Sequence, residues 1–314
     1  MKKNMLLVII TFMFFSYQKP GDMHAKLVLD AKAMLGEGSI WHPIEKKLYW
    51  VDIEGKALHI YDPATKKDIQ FATASRIGTV VPVKGGGVLV ALQNGIHSMN
   101  TKTGNLTFIT DPIQDTTIRF NDGKCDPAGR FWVGTMALNI TKGAAVLYRL
   151  DRDKKVHLML NNLTISNGIV WSADKKTMYF TDTQTSNVEA FDYNDTTGEI
   201  SNRRVVIKVP ISEGSPDGMA IDAEGKLWTA LWGGGAVARW DPATGKMLQK
   251  IYVPAPNTSS CAFGGNDLKT LYITTARKDL SEEQLKQYPM SGGLFAVKLN
   301  IKGVPANFYI NDDK

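Results

Sequence analysis

The chain of 314 residues is 43% hydrophobic and 22% charged, an ordinary globular composition that excludes disorder and collagen. Its net charge of +6 comes from basic residues scattered singly or in pairs, whereas a nucleic-acid backbone needs clustered cations, so no nucleic-acid partner is expected. Two cysteines, Cys125 and Cys261, exclude a disulfide-dense scaffold and a Cys-cluster zinc site, and leave one bridge between them open.

At the N-terminus, Lys2 and Lys3 precede an apolar run at 5–15, which has the length of a signal-peptide core and is too short to span a bilayer. Residues 1–25 are therefore assigned to a signal peptide and linker, with a tolerable cleavage site at Met23-His24-Ala25, and residues 26–314 to one domain. Export to a periplasm or out of the cell is the expectation. No later run approaches transmembrane length.

Beyond residue 35 the chain is a succession of short runs rich in Val, Ile, Tyr, Trp and Phe, broken by Gly, Asp-Pro and Asn clusters, with almost no helical periodicity. A unit recurs. Trp41-His42-Pro43 leads to Leu48-Tyr49-Trp50-Val51, Cys125-Asp126-Pro127 to Phe131-Trp132-Val133, Trp171-Ser172-Ala173 to Met178-Tyr179-Phe180, and Ile221-Asp222-Ala223 to Leu227-Trp228. Weaker copies run from Gly78 to Val90 and from Cys261 to Ile273. Six copies of about four strands, at a period of about 40–50 residues, predict an all-β fold, a six-bladed β-propeller, since one blade cannot bury both faces and blades stack until the ring closes. A β-sandwich would not explain the period. The run 27–35 is expected to supply a strand to the last blade, and 276–289 to form a charged loop or short helix within it.

Aligning the repeats at the residue before each first strand gives Glu37, Ile77, Asn121, Asn167, Asp217 and Ser260, spaced 40, 44, 46, 50 and 43 apart. Rotational equivalence places all six at one mouth of the central channel. Five of the six carry side-chain oxygens, a set that suits a hard cation such as calcium or magnesium, although carboxylates also bind zinc and manganese. Taken singly, Asn or Asp before Gly is a common turn former; registration across blades is what favours a site. Arg119 either points its fork at the same mouth or pairs with Asp122. The tryptophans at 41, 50, 132, 171 and 228 read as core, whereas Trp232 is placed either in hairpin packing or on a sugar-sized pocket. The five histidines show no zinc-type pairing, a Gly-x-Ser-x-Gly elbow is absent, and the glycine triplets at 85–87 and 233–235 read as hairpin turns.

Gly36-Glu37-Gly38-Ser39-Ile40-Trp41, Arg119-Phe120-Asn121-Asp122-Gly123, Gly134-Thr135-Met136, Ser166-Asn167-Gly168, Pro216-Asp217-Gly218-Met219 and Ser291-Gly292-Gly293-Leu294-Phe295 together resemble the gluconolactonase/regucalcin (senescence marker protein) family. The resemblance runs in order from about residue 28 to 309. It implies a six-bladed propeller that binds one divalent cation, calcium first and zinc, magnesium or manganese after it, and that hydrolyses a small-molecule sugar lactone. Carried over by motif position, Glu37, Asn167 and Asp217 are the implied metal ligands, Asp217 the implied general base, and Arg119 and Asn121 the implied substrate contacts. Animal members have a glutamate where this chain has Leu138, so a shifted substrate preference is expected. The competing expectation is a non-enzymatic propeller that binds a divalent cation and a protein or carbohydrate partner.

Overall fold

The computed structural model describes residues 23–312; the leader run at 5–15 lies outside the described residues. Each repeat is a four-stranded antiparallel meander. The first comprises Gly36–His42, Lys47–Asp52, Ala57–Asp62 and Lys67–Ala72, and six such sheets form the blades of a β-propeller. The innermost strands are apolar and small-residue runs buried on both faces. The outermost ones, such as Lys67–Ala72 and Ile200–Lys208, are largely exposed, and the charges they carry discourage edge-to-edge pairing with other chains.

The core fills the wedges between neighbouring blades. Trp41 and Trp50 pack with Tyr272 between blades six and one, Trp132 with Trp171 and Tyr193 between three and four, and Trp228 with Phe263 between five and six. All five strand tryptophans expected in the core are buried there.

Blade six takes three strands from the C-terminal part of the chain and its outer strand, Lys26–Leu29, from the N-terminal part. The closing strand is thus shorter than the run 27–35. Met23–His24, within the residues assigned to the leader, runs parallel to Lys246–Tyr252 as a fifth strand of blade five, and the Ala25 N–H donates to the Tyr252 carbonyl at 2.9 Å. The charged segment of blade six contains the helix Glu282–Gln287, whose start is fixed by reciprocal bonds between Ser281 and Gln284.

After blade six the C-terminal tail crosses the underside of the ring. Val304 N donates to the Ile221 carbonyl at 3.2 Å, Asn307 Nδ2 to the Cys125 carbonyl at 3.1 Å, and Tyr309 N to the Pro82 carbonyl at 2.8 Å. Residues 304–307 line a cavity there with Lys124, Cys125 and Cys261. Both cysteines are free and buried, so the bridge left open by the sequence is not made. Among the described residues no helix is long and apolar enough to cross a membrane.

Candidate functional site

The six registered positions lie within the innermost strands, not in the turns before them. Every one of these strands has a register irregularity at or beside the position, between Glu37 and Ile40, Ile77 and Thr79, Phe120 and Gly123, Ser166 and Ile169, Pro216 and Met219, and Thr258 and Ser260. A bulge breaks the alternation of faces and re-aims a side chain. Here it turns Asn121, Asn167 and Asp217 toward the channel mouth, so an Asx-Gly pair that reads as a turn from sequence is a kinked strand.

Glu37, Asn121, Asn167 and Asp217 come together with Arg119 around a cavity of ≈ 190 Å³. The other two positions do not join them. Ile77 is packed in the core of blades one to three, and Ser260 Oγ lies 3.1 Å from Ser39 Oγ between blades six and one.

Arg119 is buried and donates from Nη1 to Asn121 Oδ1 at 2.7 Å and to the Phe120 carbonyl at 2.9 Å. Its alternative pairing with Asp122 is not made; Asp122 Oδ1 instead accepts the Gly123 N–H at 2.8 Å. Asn121 Nδ2 donates to the Ser166 carbonyl at 2.8 Å, and Asn167 Nδ2 to Thr183 Oγ1 at 2.9 Å. These bonds fix which way each amide faces. The strand entries are also held: Asp52 accepts the Met34 and Leu35 N–H groups, both at 2.9 Å, two residues before Glu37, and Asp182 accepts those of Thr164 at 3.0 Å and Ile165 at 2.9 Å, two residues before Asn167.

Burial pushes the Glu37 carboxyl well above its ordinary range, and the neighbouring charges of Asp217 and Asp122 add to this. Burial and then Asp122 raise Asp217 in the same way, against the pull of Glu37, Gly218 and Asn167. Asp122 is raised by burial too, with Lys124 opposing. Desolvation brings the Arg119 guanidinium down to about 10. Asn167 Oδ1, Asp217 Oδ1 and Asp122 Oδ2 are buried without a hydrogen-bond partner. Orphaned oxygens on adjacent buried carboxyls are costly unless a positive centre compensates them. The donor set of Glu37, Asn167 and Asp217, all oxygen and twice negative, fits a hard divalent cation. Among the described residues no three His, Cys, Asp or Glu side chains gather as a metal group; the set of Glu37, Asn167 and Asp217 has two carboxyls and one amide.

Several residues of the cavity carry no sequence signal of their own. Thr183 and Gln184 come from a 3₁₀ turn, Lys278 and Asp279 from the blade-six insertion, and Leu35, Ile140 and Ile165 from strand entries and exits, whereas Met136 belongs to the motif Gly134-Thr135-Met136. Trp232 lines the cavity and also packs against the core of blades one to three, so both of its placements hold. Leu138 does not line it, although Met136 and Ile140, two residues to either side, do.

Fold and site together define a propeller with an oxygen-lined small-molecule cavity at one end of its channel. Residues 35–277 match the family model described as SMP-30/Gluconolactonase/LRE-like region, and the chain belongs to that family. It is 38% identical over 282 residues to "Putative sugar lactone lactonase YvrE" of Bacillus subtilis (strain 168), covering 90% of this chain and 97% of that one. To regucalcin of Danio rerio it is 40% identical over 291 residues, covering 92% and 99%. Among solved structures, a calcium-binding protein, regucalcin, from Agrobacterium tumefaciens superposes with a TM-score of 0.88 at 29% identity, over 92% of this chain and 98% of that one. A luciferin-regenerating enzyme superposes with 0.84 at 31% identity, over 89% and 96%.

Proposed function

We propose that the protein hydrolyses lactones, sugar lactones in the first place, with one divalent cation held by Glu37, Asn167 and Asp217. The observation that carries this is the convergence of two raised carboxyls, two oriented amides and a buried guanidinium from blades one, three, four and five on one small cavity; a family relative named as a sugar lactone lactonase supports it. When bound, such an ion, calcium in the first place, supplies a Lewis acid that polarises a carbonyl and makes a nearby water more acidic. The chain does the rest. Arg119 and Asn121 hold the ring hydroxyls and orient the carbonyl toward the carboxyls. Asp217 accepts the proton of the attacking water as general base. The water oxygen bonds to the carbonyl carbon, the bond from that carbon to the ring oxygen breaks, and the ring oxygen leaves as a hydroxyl with the proton that Asp217 took from the water, giving the open hydroxy acid.

The test is turnover of a panel of aldonolactones by chelated protein, before and after adding back single divalent ions. Loss in chelator and recovery at one ion per chain is the expected result. Full activity in protein shown to be metal-free overturns the metal's role, and no turnover with any ion moves the protein to the non-enzymatic reading. We also propose export, on the basic and apolar leader pattern of Lys2, Lys3 and 5–15.

A further inference from the structure

Ile140 breaks two rules at once. Its φ is +58°, a left-handed conformation that a β-branched side chain adopts only against steric resistance. Among the described residues the other non-glycine positions with positive φ are Lys, Asn, Ser, Leu and Asp, so Ile140 is the one β-branched residue there. Burial does not compensate the strain: the residue is 48% exposed. An asparagine would fit this turn better and expose less apolar surface. A residue kept in a strained and exposed state points to a role at the place where it sits, and Ile140 sits on the wall of the candidate active cavity.

Ile140 has apolar company on that wall. Met136 and Ile165, which bridge one another across blades three and four, line the cavity together with Ile140, whereas the proposed ligands, Arg119, Thr183, Gln184 and Lys278 supply polar groups to it. A ring hydroxyl set against Met136, Ile140 and Ile165 would find no side-chain partner in them, at the cost of its desolvation. An alkyl arm on the ring would instead cover Ile140 and remove its exposed surface from water.

Resting on the lactonase reading above, we propose that Ile140 is a specificity-determining residue that receives, with Met136 and Ile165, an apolar arm on the lactone ring, so that ring-alkylated lactones are preferred to bare ones. The test compares kcat/KM for δ-decalactone, which carries a pentyl arm, with that for δ-valerolactone, which carries none, and uses glucono-δ-lactone as the reference. The calcium-loaded full chain is measured as wild type, Ile140→Asn and Ile140→Ala. The wild type should favour the alkylated lactone, and both substitutions should lower the ratio, Ile140→Asn by about 10-fold, the scale of a small apolar group in a pocket. Ile140→Asn should also raise Tm by about 2 °C, because the strain is relieved. A wild type without the preference, or a ratio unmoved by both substitutions while glucono-δ-lactone is turned over, overturns this inference alone. A lower ratio with a lower Tm assigns Ile140 to holding the loop and also overturns it. No turnover of any of the three lactones overturns the lactonase reading and this inference with it.

Discussion

Gly168 lies directly against Asp217 across the boundary of blades four and five: a Cβ on residue 168 would sit 2.6 Å from the Asp217 carbonyl oxygen and 2.7 Å from the Met219 Cβ. The glycine after Asn167 therefore lets the strand carrying Asp217 approach closely enough for the two side chains to line one cavity. Gly168→Ala should displace the Asp217 strand, lower stability by about 1–3 kcal/mol, the usual cost of overpacking, and weaken calcium binding at least 10-fold by isothermal titration. Unchanged affinity would separate the site from this contact.

Asp52 and Asp182 make the same two bonds in blades one and four, each pinning the backbone just ahead of a proposed ligand. Asp182→Ala leaves two amide N–H groups without their acceptor, and should cost about 2–3 kcal/mol in urea unfolding. It should raise the calcium Kd while leaving kcat at saturating calcium within a few-fold of wild type. A large fall in kcat that excess calcium does not restore would give Asp182 a part in the chemistry.

The two tasks proposed for Asp217 separate by substitution. Asp217→Asn keeps an oxygen donor and removes the proton acceptor, so it should retain some metal while kcat falls about 10²-fold or more, the scale of a general base. Asp217→Ala should lose the metal as well. Glu37→Gln serves as the control, since saturating metal should restore much of its rate. If Asp217→Asn regains near-wild-type kcat in excess metal, Asp217 is a ligand only.

Metal-free protein should respond to pH in an unusual direction. Glu37, Asp122 and Asp217 have raised values in the folded state, so the folded chain holds more protons than the unfolded chain above the ordinary carboxyl range near pH 4. Their contribution is most favourable at low pH and is lost as pH rises through the raised values. Differential scanning of chelated protein should therefore give a higher Tm at pH 5 than at pH 8, and calcium should narrow the gap by stabilising the ionised carboxylates. A metal-free Tm that rises from pH 5 to pH 8 would contradict the assignment.

The fifth strand on blade five bears on export. Since Met23–His24 and Ala25 bond to blade five, the mature chain should begin between about Ser16 and Met23, so that processing keeps this strand. Terminal mass spectrometry of protein from its host reads the point directly. A chain starting at Met1 would sink the export proposal.

The ring and most of its mouth were legible in the chain because both repeat. A residue that recurs at the mouth every 40–50 positions announces itself by register, and the convergence of Glu37, Asn121, Asn167 and Asp217 on one cavity was legible that way. Register alone does not distinguish a turn from a bulged strand, which is why those residues were expected just before the strands that contain them. Nor does it foresee that Ser260 turns to Ser39, a contact across 221 residues. Ile140, Thr183 and Lys278 belong to loops that differ from blade to blade, so no internal copy exists to compare. Residue 138 drew notice because it departs from animal relatives, yet the residues on the cavity are its neighbours at 136 and 140.

The C-terminal tail has a kinetic consequence. Residues 304–307 cross the end of the ring remote from Glu37 and Asp217, and should thereby leave the mouth as the doorway for substrate and product alike. In a lactonase built this way, the hydroxy acid must back out through the opening by which the next lactone enters. Product and substrate then contend for one route, and accumulating hydroxy acid should slow turnover as a competitive inhibitor.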